Sequence, residues 1–289
     1  MSWVVEIDER TMLMAELCFV ILGLIIGSFL NVCIARIPCQ ESIVFPNSHC
    51  PHCGNPIKAY DNIPLLSYLL LLGKCRSCGQ RISWQYPAVE ALTALTFCVT
   101  FVLLGFNLKA IILLVFFSSI IILIFIDLNH RILPDVITLP GVLFGLLFSL
   151  LTPVQDSTAE FILSSLGLAT SNAIFISFIN SFLGVLICGG FLWLVAEIFF
   201  RVRKMEGLGF GDIKLMGMVG AFLGMKLALL TIMLGSMMGA VIGLLFIKLA
   251  GKDARYELPF GSFLGIAAII SALWGHRLIS DYARTLHGS

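Results

Sequence analysis

The sequence predicts an all-α polytopic membrane protein of about eight transmembrane helices, with one small polar segment outside the bilayer. Of its 289 residues, 59% are hydrophobic and 12% charged, and the mean hydropathy is +1.02; soluble domains rarely combine such values. Apolar runs long enough to cross a bilayer recur along the chain. Only one sizeable stretch, Pro38 to Tyr86, is polar.

The first run, Ala15 to Ile37, follows Glu and Arg residues and lacks both a basic leading region and a small-residue cleavage site. It reads as a retained helix rather than a cleaved signal. Further runs follow at 87–106, 109–127, 135–152, 173–200, 212–225, 227–249 and 258–279. The 212–225 run is short and glycine-rich, which predicts a tilted or partly re-entrant helix. The loop from Pro153 to Asn172 is apolar enough for an interfacial helix. Three regions result: an N-terminal transmembrane helix over 1–37, the polar segment over 38–86, and a transmembrane domain over 87–289.

Orientation follows from the basic residues. With the N-terminus outside, thirteen of the 18 Lys and Arg residues fall on one side and five on the other. The polar segment is therefore expected in the cytoplasm. The net charge of +1 is uninformative, but nothing in the sequence resembles a basic nucleic-acid face, so no nucleic-acid partner is expected.

The polar segment holds Cys50-Pro-His-Cys53-Gly and Cys75-Arg-Ser-Cys78-Gly, with 21 residues between the pairs. Two tight Cys-x-x-Cys turns at this separation can offer four thiolates to one tetrahedral zinc ion. Gly54 and Gly79 follow each pair, where the chain must turn around the sulfur. The competing reading is disulfide or redox chemistry, which a cytoplasmic location disfavours. Cys18, Cys33, Cys98 and Cys188 lie in apolar runs and read as small packing residues, while Cys39 has no partner at ligand spacing. The fold class is thus a helical membrane protein with a small cytoplasmic zinc-binding segment.

Two acids stand at the ends of apolar runs: Asp127 closes one, and Asp212 follows glycines at 207, 209 and 211. Carboxylates near hydrocarbon are costly and need a reason. For each alone, an interfacial residue or a helix cap is sufficient reason. Together they share the expected cytoplasmic face and opposite helix polarities: a positive dipole end beside Asp212 suits a base, and a negative end beside Asp127 suits an acid. The glycines would admit an extended peptide backbone, or simply let helices pack closely. A phosphate loop is excluded because G-x-x-x-x-G-K-[ST] is absent.

These residues lie among others that together resemble the type IV prepilin leader peptidases. The resemblance runs through Gly27-Ser-Phe-Leu-Asn31 with Arg36 and Pro38, the two cysteine pairs, Asn62-Ile-Pro-Leu-Leu-Ser-Tyr68 with Gly73-Lys-Cys75, Tyr86-Pro-Ala-Val-Glu90, Ile126-Asp127 with Leu133-Pro-Asp135, and Gly-x-Gly-Asp ending at Asp212 with Lys214-Leu215. It implies that Asp127 and Asp212 are catalytic and that Cys50, Cys53, Cys75 and Cys78 bind structural zinc. It further implies that prepilins and pseudopilins are cut at the cytoplasmic face of the bacterial inner membrane, just after a glycine. Methylation of the new N-terminal residue from S-adenosylmethionine would follow. Asn129 stands where many members carry a second acid, which leaves Asp135, read as a helix N-cap, as the rival to Asp127. Glu206 is a candidate for attracting a basic leader. Two other classes remain open: a membrane thiol oxidoreductase using the cysteine pairs, and an ion-coupled transporter using the aspartates.

Overall fold

The computed structural model describes residues 9–154, 156–168, 170–204, 209–250 and 258–287. Gly207 and Glu206 lie outside these residues. Among the described residues all extended regular structure is helical: α1 Glu9–Arg36, α2 Leu66–Leu70, α3 Gln85–Leu104, α4 Leu108–His130, α5 Asp135–Phe148, α6 Thr158–Ser165, α7 Ala173–Gly184, α8 Gly190–Arg203, α9 Phe210–Ala250 and α10 Phe260–His287. Among the described residues, six helical stretches are long and apolar enough to cross a membrane. They carry seven of the eight predicted runs, because two of those runs lie on α9. The remaining run forms α5, which at 14 residues is shorter than a bilayer needs. A short helix, α6, does form within the apolar loop after α5.

The boundary between the 212–225 and 227–249 runs falls at Gly224. Helical structure continues on both sides of Gly224, but its own φ of 78° and ψ of 177° are not helical, a conformation that strongly favours glycine. A Cβ there would lie 2.9 Å from Val154 Cγ1 and 3.1 Å from Asp156 Oδ2. The buried Asp156 accepts the Lys226 N–H at 3.0 Å, satisfying a donor where the helix restarts. Two helices thus meet at Gly224 within α9.

The chain divides into two compact units, residues 1–122 and 123–289. In the first, α1 packs on α3. Gly23 and Gly27, one turn apart, let the backbones approach: a Cβ at Gly23 would lie 2.6 Å from Ala94 Cα, and one at Gly27 would lie 2.7 Å from Glu90 Cα. This is the small-residue packing by which membrane helices associate without a hydrophobic driving force. Phe19 stacks on Phe101 with ring centroids 4.5 Å apart.

In the second unit α9 is central, contacting α5, α7 and α10. Leu215, Met216, Met218, Val219 and Ala221 are fully enclosed. Gly184 of α7 and Gly220 of α9 touch backbone to backbone. A π-helical turn, Val185–Gly189, follows that contact and leads into α8. Such turns insert a residue into a helix and shift its register.

Candidate active site and metal centre

Four cysteines of the first unit converge. Cys50, Cys53, Cys75 and Cys78 place their sulfurs within 4.8 Å of one another, and Cys50 Sγ lies 3.9 Å from Cys78 Sγ. Metal–sulfur bonds of about 2.3 Å in a tetrahedron put neighbouring sulfurs roughly 3.8 Å apart, so the cluster fits a four-thiolate ion.

The two halves are copies of one knuckle. Cys50 N–H donates to Asn55 O at 3.0 Å, as Cys75 N–H does to Gln80 O at 2.8 Å. Gly54 N–H returns to Cys50 O, and Gly79 N–H to Cys75 O, both at 2.9 Å. Ile57 N–H reaches Ser48 O at 2.8 Å and Ile82 N–H reaches Gly73 O at 2.7 Å. Gly54 and Gly79 have φ of 71° and 70°, so the turn expected after each cysteine pair is left-handed. The backbone N–H of Cys78, together with that of Ser77, pulls the Cys75 thiol down to about 7, which supplies thiolate near neutrality. None of the nine cysteines forms a disulfide, and Cys39 is exposed and outside the cluster.

The same unit contains a cleft of 690 Å³, walled by the end of α1, the start of α3 and the knuckles. Asn31, Arg36 and Glu90 lie in its wall and are buried.

In the second unit the two aspartates come together. Asp127 lies in the last turn of α4, and Asp212 in the first turn of α9. Both are buried, at 5% and 7% exposure. Between them stands Gly261, at the start of α10. A Cβ built there would lie 3.2 Å from Asp127 Oδ2 and 3.1 Å from Asp212 Oδ1, so those oxygens are no farther apart than the sum of the two distances. A separation within that bound is short enough for the two carboxylates to act as a coupled pair.

Ser262 fixes Asp127. Its N–H and its Oγ each lie 2.7 Å from Asp127 Oδ2, and Oγ also lies 3.1 Å from Ile124 O. Glycines frame Asp212: a Cβ at Gly209 would lie 3.3 Å from its Oδ2, and one at Gly211 would lie 2.9 Å from Leu133 Cβ. Two of the three glycines expected beside the acid thus stand close to it.

Asp135 is not an N-cap. Pro134 occupies that position without a side-chain hydrogen bond, while Asp135 opens the helix and is exposed. It accepts Lys214 Nζ at 2.6 and 2.7 Å. Gly261 and Ser262 carry no acid or metal-ligand signature. The sequence reading did not single them out; the one feature that could have drawn notice is a hydroxyl in the Pro-Phe-Gly-Ser stretch that opens the last apolar run.

Fold and site together define a multi-pass membrane protein with a buried pair of carboxylates at two helix ends and a separate four-cysteine centre. Residues 21–104 match the bacterial peptidase A24 N-terminal domain, and residues 114–244 match the type IV leader peptidase family. The prepilin leader peptidase/N-methyltransferase of Pseudomonas aeruginosa is 34% identical, over 92% of this chain and 92% of the relative. The protein of the same name from Aeromonas hydrophila is 36% identical over 90% of this chain and 91% of its own. That of Myxococcus xanthus is 39% identical over 80% and 63%. No solved structure matches. The chain belongs to the type IV leader peptidase family, and these likenesses support neither the thiol oxidoreductase nor the transporter reading.

Proposed function

We propose that this enzyme cleaves the leader peptide from type IV prepilins and pseudopilins and then methylates the newly exposed N-terminus. The observation that carries the peptidase reading is the convergence of buried Asp127 and Asp212 on either side of Gly261. A water held between them attacks the scissile carbonyl while one carboxylate takes its proton. The other carboxylate protonates the leaving amine as the C–N bond breaks. The proton is shared, so the acid and base roles belong to the pair. Ser262 holds one oxygen of Asp127 in place, and the glycines leave the space a backbone carbonyl needs.

Cys50, Cys53, Cys75 and Cys78 bind structural zinc, which orders a segment too small for a large core of its own. S-Adenosylmethionine is the methyl donor. The excess of Lys and Arg on one side orients the chain in the bacterial inner membrane with the dyad facing the cytoplasm. This side is the one on which a basic leader would be found.

Incubating the purified enzyme with a prepilin, with and without S-adenosylmethionine, and weighing the product tests both halves. The expected result is loss of the leader mass in either case and a gain of one methyl group only with the donor. An uncut prepilin would defeat the peptidase reading.

A further inference from the structure

The short helix α2 is inside out for a helix in water. Its serine is buried, with Ser67 Oγ donating to Tyr60 O at 2.9 Å and accepting the Ile63 N–H at 3.0 Å. Its leucines face outward: Leu66, Leu69 and Leu70 are 50%, 68% and 73% exposed, and Leu72 just beyond them is 83% exposed. Leu72 also holds a left-handed φ of 51°, where glycine or asparagine is less strained. In water, exposure and backbone alike disfavour a leucine here. Exposed apolar clusters of this kind mark a contact surface.

The depth of α2 identifies what lies against it. The 20 residues of α3 make about 30 Å of helix, the thickness of a bilayer's hydrocarbon core, so its start at Gln85 lies at the membrane boundary. Glu90, five residues on, is about 7 Å inside that boundary. Its buried carboxylate accepts the Leu65 N–H at 2.8 Å, which fixes the residue before α2 at that level. A second tie runs to α1: Asn62 and Pro64 line one groove with Ile25 and Phe29, and Phe29 stands seven residues, about 10 Å, before the end of that helix. Trp84, exposed beside the start of α3, occupies the level at which membrane proteins carry their aromatic belt.

We propose that α2 and Leu72 dip into the lipid leaflet at which α1 ends and α3 begins, with Leu66, Leu69, Leu70 and Leu72 against its acyl chains. A depth of about 7 Å is that of an interfacial helix, roughly 5–10 Å into the headgroup and acyl boundary. The backbone can enter because its donors are satisfied from within the protein, as lipid requires: Ser67 N–H bonds Ile63 O, Leu69 N–H bonds Leu65 O, Leu71 N–H bonds Ser67 O and Leu72 N–H bonds Leu69 O. The segment between α1 and α3 is thus moored to the membrane at a third point besides its two ends. This mooring holds the four-cysteine knuckles against the membrane surface.

The test uses the full-length protein in nanodiscs of phosphatidylethanolamine and phosphatidylglycerol. Photoreactive benzoylphenylalanine replaces Leu70, or Leu95 on the exposed face of α3, or the exposed Gln80 of the second knuckle, and mass spectrometry reads what each captures on irradiation. The probes at Leu70 and Leu95 are expected to capture phospholipid in similar yield, at least fivefold above the probe at Gln80. Lipid capture at Leu70 no higher than at Gln80, with Leu95 labelled normally, overturns the proposal. Capture of a second copy of the chain in place of lipid overturns it too, because the leucines would then form a dimer surface. Hydroxyl-radical footprinting of the unmodified protein in the same nanodiscs decides the matter even if the probe at Leu70 disturbs folding. Oxidation of Leu69 and Leu70 should run at least fivefold slower than in the free peptide 62–74, and an equal rate overturns the proposal.

Discussion

At the scale of single residues, the site depends on what holds each carboxylate. Asp127 has two donors from Ser262 on one oxygen, and a hydrogen bond to a charged acceptor is worth about 1.5–3 kcal/mol. Ser262→Ala keeps the N–H and loses the hydroxyl, so cleavage should fall by about ten- to a hundredfold at unchanged membrane levels. Steady-state assays with a purified prepilin check this. An unchanged kcat and pH profile would mean the contact is incidental. Gly261→Ala is a harsher change, because the added methyl meets Leu133 at 2.8 Å as well as both carboxylates. It should abolish cleavage while zinc stays bound. These two residues were not legible as site residues in the sequence: they come from a different helix, with Ser262 standing 135 positions beyond Asp127, and neither carries reactive chemistry. Asp127 and Asp212 were legible because an acid beside hydrocarbon always requires an explanation.

At the scale of elements, two devices do most of the organising. The paired knuckles repeat the same hydrogen-bond ladder, so each offers two sulfurs in a fixed arrangement to the proposed zinc ion. Removing zinc with a chelator, or changing Cys50 or Cys75 to serine, should release the metal and make the 38–86 segment sensitive to protease. Metal analysis and limited proteolysis read both effects, and a variant with one zinc per chain would contradict the four-cysteine centre. The spacing of the cysteines announced this centre, but not the cleft beside it, which depends on how the end of α1 meets α3.

The second device is close helix contact through glycine. Gly27→Leu would force a side chain into the α3 backbone at Glu90, and overpacking of this kind typically costs about 1–3 kcal/mol. A lower unfolding temperature in detergent is expected, and an unchanged one would show that α1 and α3 part easily. Gly224 marks the boundary that the sequence places between its 212–225 and 227–249 runs: two helices meet there, and Asp156 satisfies the Lys226 N–H where the second begins.

At the scale of the whole molecule, the proposed orientation rests on the distribution of Lys and Arg. A cytoplasm-active reporter fused within the knuckle segment should be active, and one fused at Asn107, between α3 and α4, should not; the reverse would invert the topology. The number of spans was less legible than their existence, because α5 is too short to qualify by length.

The central claim is that Asp127 and Asp212 act as one catalytic unit. The most direct measurement compares prepilin cleavage by Asp127→Asn, Asp212→Asn and the double variant, each with zinc content and membrane levels matched to the wild type. A shared-proton dyad predicts that either single change lowers kcat by at least about a hundredfold and that the double variant is scarcely worse than either, since residues acting as a unit are strongly non-additive. Substantial cleavage by one single variant, or losses that simply multiply in the double, would contradict it.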